Sequence, residues 1–180
     1  EWLNTCLKKA YNTCKSPKSY NSQVGVGLSV IELKQDHEIG IFEAGISEKD
    51  EMVRLKKIIQ PSIGIFTNIG QAHSENFESL KEKTREKASL FTEVEKLVYC
   101  KDHKEIHEAA IGIHNAQLYT WSSKDNNTFL YVKNIRQKAD KSTLTLIHNN
   151  TEKVFYIPFN DKASTENCLH VICTLISLNI

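Results

Sequence analysis

Two short apolar runs, residues 39–42 and 63–66, constrain this chain more than any other feature, because each stops abruptly at polar residues. Glu43 follows the first run, Thr67 and Asn68 follow the second, and His73 comes soon after. Between the runs, Met52, Leu55, Ile58 and Ile59 recur at helical spacing. Strand-length apolar runs on either side of a helix-period segment predict a β-α-β unit with adjacent parallel strands. In open α/β sheets ligands bind at the carboxyl ends of the strands. A carboxylate, an amide and an imidazole fall there in this chain.

The remaining pattern extends this reading. A helix is expected over residues 1–13, then a polar loop to residue 23, then a short helix over 25–34, where a strand is the alternative. Ser79, with Glu82 three residues on, forms a capping box that opens a helix running to about residue 94. KLVYC at 96–100 and AQLYTW at 116–121 read as core strands around a short helix at 103–110. After Ser122 the texture changes to three alternating strands joined by KADK and NNTE turns, an antiparallel meander, and a helix over 163–178 closes the chain. The expected fold class is α/β: a mainly parallel sheet flanked by helices, with antiparallel strands added late.

With 180 residues the chain suits one domain with a real core. A net charge of +1 gives no reason to expect nucleic acid or an anionic membrane. No apolar run approaches the ~18 residues of a membrane helix. The five cysteines, at 6, 14, 100, 168 and 173, show no metal or C-x-x-C spacing and read as reduced thiols in a cytosolic protein. Cys6, Cys14, Cys168 and Cys173 fall in helical patterns, as small buried hydrophobes do.

FEAGIS at 42–47, followed by PSIGIFTNIGQAH at 61–73, resembles the central domain of the Mur ligases, ATP-dependent amide ligases of peptidoglycan synthesis. SPKSYNSQVGVGLSV at 16–30 is similar to the substrate-side loop and helix of the member that adds D-alanyl-D-alanine to UDP-N-acetylmuramoyl-tripeptide, a ligase fused to alanine racemase in some bacteria. The resemblance is strong from 16 to 91 and weak from 101 to 159. It implies a P-loop NTPase-like fold, ATP and Mg²⁺ as cofactors, the UDP-N-acetylmuramoyl-peptide and D-alanyl-D-alanine as substrates, a cytoplasmic location, and neither nucleic acid nor membrane as a partner.

The same resemblance assigns roles to residues. Glu43 matches a glutamate that helps hold Mg²⁺ against the ATP phosphates; without the resemblance it reads as a solvated turn cap. His73 matches a histidine ligand of a second Mg²⁺, although imidazole is an unusual partner for so hard an ion. Asn68 stands beside the same strand end, and an Asx-turn explains it equally well. Lys87 lies on a helix stripe with Leu80, Thr84, Phe91 and Val94. An inward lysine either snorkels or, as REKASLF at 85–91 implies, matches the lysine whose carbamate binds Mg²⁺. Arg85 and Glu86 read as the solvated face, and Glu51 as a first-turn residue favoured by the helix dipole. In STEN, Asn167 matches the second asparagine of an adenine-contacting H-N-x-x-N, while Ala163 and Ser164 replace its first two residues. His170 reads as a packing or surface residue. Ser19, Asn21 and Ser22 match the substrate-side loop. Glu43, His73 and Lys87 form the expected catalytic and metal set, Asn68 and Asn167 the nucleotide contacts.

The phosphate-binding G-x-x-x-x-G-K-[ST] loop of the family is absent from the sequence. The chain is therefore expected to be a single truncated central domain that starts just after the P-loop, without the flanking domains, and to be inactive by itself. The alternatives are a sister ligase, a folylpolyglutamate synthetase-type ligase, or a degenerate domain retained for binding.

Overall fold

A computed structural model describes residues 1–17, 19–70 and 74–180. The chain divides into two compact units, Glu1–Ser62 with Ile69–Glu93, and Ile63–Asn68 with Val94–Ile180.

The first unit carries α1 (Trp2–Leu7), β1 (Thr13–Lys15), α2 (Gln23–Ile31), β2 (Ile39–Ile41), α3 (Glu51–Ile59), a 3-10 turn (Ser74–Asn76), α4 (Leu80–Ala88) and a second 3-10 turn (Ser89–Phe91). Its core includes Leu7, Val26, Met52, Leu55, Ala88 and Phe91. The helix expected to reach residue 13 ends at Leu7, and β1 lies where a polar loop was expected. Tertiary pairing overrides the helical spacing here. The Asn12 N–H donates to Glu38 Oε2 at 2.8 Å, and its carboxamide donates to the Asp36 carbonyl at 3.0 Å. Those bonds hold the chain extended as it enters β1, which pairs parallel with β2, Thr13 opposite Ile39 and Lys15 opposite Ile41. Cys6, expected inside, is exposed, while Cys14 is buried.

The second unit carries β3 (Ile63–Phe66), β4 (Lys96–Cys100), α5 (Lys104–Ala110), β5 (Gln117–Ser122), β6 (Leu130–Gln137), β7 (Ser142–His148), β8 (Thr151–Ile157) and α6 (Lys162–Ser177). Its six strands lie in chain order in one mixed sheet. β3 to β6 run parallel, and β6, β7 and β8 are antiparallel. This agrees with the expected fold class, late hairpins included. The β7–β8 turn is Asn149 and Asn150, both left-handed (φ 49° and 60°), the backbone of a type I′ hairpin, which asparagine tolerates. The core joins Val98, Trp121, Leu130, Leu144 and Leu146 to Leu169 and Cys173 of α6. Burial pushes the Cys100 and Cys173 thiols up to about 12.

One expectation needs correction. Residues 39–42 and 63–66 do flank a helix, but they are not neighbouring strands of one sheet. β2 pairs with β1, and β3 pairs with β4. The strand at Thr13–Lys15, which lacks an apolar run of its own, supplies the partner that the pattern assigned to β3.

Candidate functional site

Glu43 follows β2 by two residues and is exposed. Asn21 Nδ2 donates to Glu43 Oε1 at 3.3 Å. The expected substrate-side loop and the expected cation carboxylate therefore touch. Two close backbone approaches fix that loop. Gly45 N–H donates to the Asn21 carbonyl at 2.7 Å, and a Cβ at Gly45 would sit 3.1 Å from that oxygen. A Cβ at Gly25 would lie 3.0 Å from Tyr20 Cα. Glycine is the residue that lets the strands of loop meet so closely. Ser22 is the N-cap of α2, its Oγ accepting from Gly25 N–H at 3.2 Å. Ser19 is exposed.

The segment after Glu43 is held by a residue that the sequence reading undervalued. Glu51 stands in the first turn of α3, as expected, but it is 3% exposed. It accepts from Ser47 N–H at 2.6 Å, Ser47 Oγ at 2.9 Å and Glu48 N–H at 3.3 Å. Asn76 Nδ2 adds a bond to the Ser47 carbonyl at 2.7 Å. Glu86 is also not merely on a solvated face. Its Oε1 accepts from Met52 N–H at 3.1 Å, capping α3 from α4. Asp50, at the N-cap itself, is left-handed with no side-chain cap bond.

α4 begins at the Ser79 cap, whose Oγ accepts from Glu82 N–H at 3.1 Å, while Glu82 Oε2 accepts from Glu78 N–H at 2.6 Å. Lys87 is half-buried. Burial pushes its ammonium pKa down and the Lys83 charge lowers it further, while the Glu43 carboxylate opposes both. The predicted stripe is partly wrong. Leu80 is 48% exposed, one turn too early to reach the core, and Lys83 is 2% exposed beside Thr84. Lys83 Nζ donates to the Gly70 carbonyl at 2.8 Å and lies 5.9 Å from the Phe77 ring centroid. A lysine amid Lys81, Arg85 and several glutamates gives no signal of burial in sequence.

In the second unit Asn68 is exposed after β3, and Asn167 is exposed on α6. Asp161 caps that helix, accepting from Ser164 N–H at 2.8 Å. His170 is a packing residue: 2% exposed, it accepts from Trp121 Nε1 at 3.2 Å through Nδ1. Burial pushes its pKa down to about 4, an effect that the Thr67 backbone partly offsets. His73 lies outside the described residues.

Glu43 offers carboxylate oxygens of the kind that hard divalent cations take. Among the described residues, no group of three or more His, Cys, Asp or Glu side chains converges on a metal position. Among them too, no helix is long and apolar enough to cross a membrane.

The profile of the Mur ligase middle domain matches residues 1–175. The chain belongs to the Mur ligase family. Two relatives of this Mur ligase middle domain are UDP-N-acetylmuramoyl-tripeptide–D-alanyl-D-alanine ligases. That of Haemophilus influenzae is 26% identical over 90% of this chain and 35% of its own length. That of Borreliella burgdorferi is 37% identical over 50% of this chain and 19% of its own. Among solved structures, MurF from Acinetobacter baumannii superposes with a TM-score of 0.85 at 20% identity, over 99% of this chain and 39% of that one. MurF ligase from Thermotoga maritima in complex with ADP gives 0.85 at 16% identity, over 98% and 42%. These two show the shared fold. This middle domain thus spans well under half the length of the relatives that it matches.

Proposed function

We propose that this chain is the central part of an ATP-dependent amide ligase that joins D-alanyl-D-alanine to UDP-N-acetylmuramoyl-tripeptide in the cytoplasm. The observation that carries the reading is the match of 90–100% of this chain to 35–40% of ligases of that name. Sister ligases and folylpolyglutamate synthetase-type enzymes are weaker readings, because a diaminopimelate ligase and an FPGS superpose less well, with TM-scores of 0.69 and 0.59.

In this reading the tripeptide carboxylate attacks the γ-phosphorus of ATP, giving an acyl phosphate and ADP. The amine of D-alanyl-D-alanine then attacks the acyl carbon, phosphate leaves, and the amine proton goes to solvent. Mg²⁺, when bound, neutralises charge on the transferring phosphoryl group. Glu43 would help to hold one such ion, His73 a second, and Lys87 as its carbamate would add an anionic ligand for Mg²⁺. Asn68 and Asn167 would face the nucleotide. Ser19, Asn21 and Ser22 would orient the muramoyl-peptide, and the Asn21–Glu43 bond would couple its placement to the cation carboxylate. The 180-residue chain alone would lack ligase activity, since its sequence contains no G-x-x-x-x-G-K-[ST] loop.

The test is phosphate release by the full gene product with Mg-ATP, muramoyl-tripeptide and D-alanyl-D-alanine. Release that needs all three, and falls by at least about a hundredfold in Glu43→Ala, is expected. Release with glutamate or an amino acid in place of the dipeptide would overturn the substrate assignment.

A further inference from the structure

Ser47 is the fixed point of the segment that carries Glu43. Its N–H and Oγ donate to Glu51 Oε2, and its carbonyl accepts from Asn76 Nδ2. The neighbouring Glu48 adds its N–H to the same carboxylate oxygen. The Glu48 side chain is held as well, Oε1 accepting from Arg54 Nη2 at 2.6 Å and from Gln23 Nε2 at 3.4 Å. Arg54 Nε in turn donates to Gln23 Oε1 at 2.9 Å. Residues 43–48 are thus tied to residues 21–23 at both ends, through Asn21 at Glu43 and Gly45 and through Gln23 at Glu48. Glu43 itself stays exposed. A held backbone under an exposed carboxylate suits a group that receives a ligand, because little freedom remains to be lost on binding. Burying the Glu51 carboxylate to make this clamp carries a desolvation cost. Connecting β2 to α3 requires no such clamp, since connections of this kind ordinarily run solvated over the surface.

We infer that Glu51 and Asn76 are positioning residues for Glu43, acting through Ser47. The inference rests on the reading of Glu43 as a cation carboxylate given above. Glu51 grips Ser47 from the start of α3, and Asn76 grips it from the 3-10 turn that precedes α4. The N–H and the C=O of one residue are therefore held by two separate elements, and Ser47 cannot move without breaking a bond. Neither Glu51 nor Asn76 touches a reacting atom of the ligation. A single oxygen, Oε2, takes all three bonds made to Glu51. A carboxamide oxygen in its place accepts the same three donors, so the clamp works by geometry and not by charge. Asn76 is exposed, and its truncation removes one grip on Ser47 without opening the core.

The experiment titrates free Mg²⁺ at fixed Mg-ATP in the full gene product and reads phosphate release. Glu43→Gln sets the reference for a lost cation carboxylate. Glu51→Ala and Asn76→Ala raise the Mg²⁺ concentration for half-maximal rate by about tenfold, and Glu51→Gln by no more than about threefold. KM for D-alanyl-D-alanine stays within about twofold in all three. A second readout uses metal-free protein. The Asn21 side-chain amide donates to Glu43, so its ¹H–¹⁵N resonance reports where that carboxylate sits, and it moves in Glu51→Ala and Asn76→Ala. Leu144→Ala, a core truncation in the second unit, loses stability but keeps both the Mg²⁺ dependence and the Asn21 resonance. Asn76→Ala carries the test if Glu51→Ala fails to fold. Wild-type Mg²⁺ dependence in Asn76→Ala, with Glu43→Gln shifted, would overturn the inference alone. A Glu51→Gln variant as impaired as Glu51→Ala would make the charge of Glu51 the active feature and overturn its positioning role. An unshifted Glu43→Gln would overturn the cation reading and this inference with it.

Discussion

Asn21 and Glu43 are joined by a hydrogen bond of 3.3 Å between a loop carboxamide and a strand-end carboxylate. The same asparagine uses its backbone carbonyl for Gly45. Its side chain and main chain therefore do separate things. Asn21→Ala should lower kcat/KM for the muramoyl-peptide by about tenfold while leaving the melting temperature nearly unchanged. Steady-state kinetics and a thermal scan check this together. Normal kinetics would detach the loop from the site.

Gly45→Ala tests the main-chain half of that arrangement. Its added Cβ would meet the Asn21 carbonyl at 3.1 Å, and relief requires the loop to shift. A destabilisation of about 1–2 kcal/mol is expected, read as a lower urea midpoint at constant slope. A midpoint equal to wild type would mean that the loop gives way freely.

Glu51→Ala should be the costlier change. It strips three donors, Ser47 N–H, Ser47 Oγ and Glu48 N–H, of a buried acceptor. A loss of about 2–4 kcal/mol follows. Hydrogen exchange should accelerate selectively at residues 47 and 48. Uniform acceleration along the chain would instead point to global loosening.

The buried imidazole of His170 sets an acid limit. Its folded pKa, about 4, lies below the ordinary 6.5, so the unfolded chain takes up the proton first. Its stabilising contribution is complete above pH 6.5 and is lost as pH falls towards 4, by up to roughly 3 kcal/mol. His170→Leu should flatten the stability profile in that window, at a constant cost of about 1 kcal/mol for the orphaned Trp121 N–H. A variant with the wild-type slope would assign the acid sensitivity to other groups.

What the sequence revealed, and what it hid, follows from the range of the interactions. Capping at Ser79, the Asn149–Asn150 turn and the alternating strands of the late hairpins are local and were legible. The strand-end position of Glu43 and the partly inward position of Lys87 were legible from the apolar run and the helix spacing. β1 was hidden, since a three-residue strand owes its existence to residues 36–41. Lys83 and Glu86 were hidden for the same reason, since each bonds a backbone group 13 or 34 residues away. Glu51 was hidden although its donors lie only three or four residues back, because a charged side chain in a first turn reads as exposed. Nothing in residue type separates such a clamp from a solvated charge.

The cap that Glu86 provides for Met52 has a consequence for how α3 comes into being. Few isolated peptides of nine residues hold a helix in water, and this one lacks a starter of its own at Asp50. Its first turn is completed from a sequence distance of 34 residues. α3 should therefore gain order only as α4 docks, making the two a single cooperative folding event. Anyone transplanting residues 51–59 into another scaffold would have to bring position 86 along.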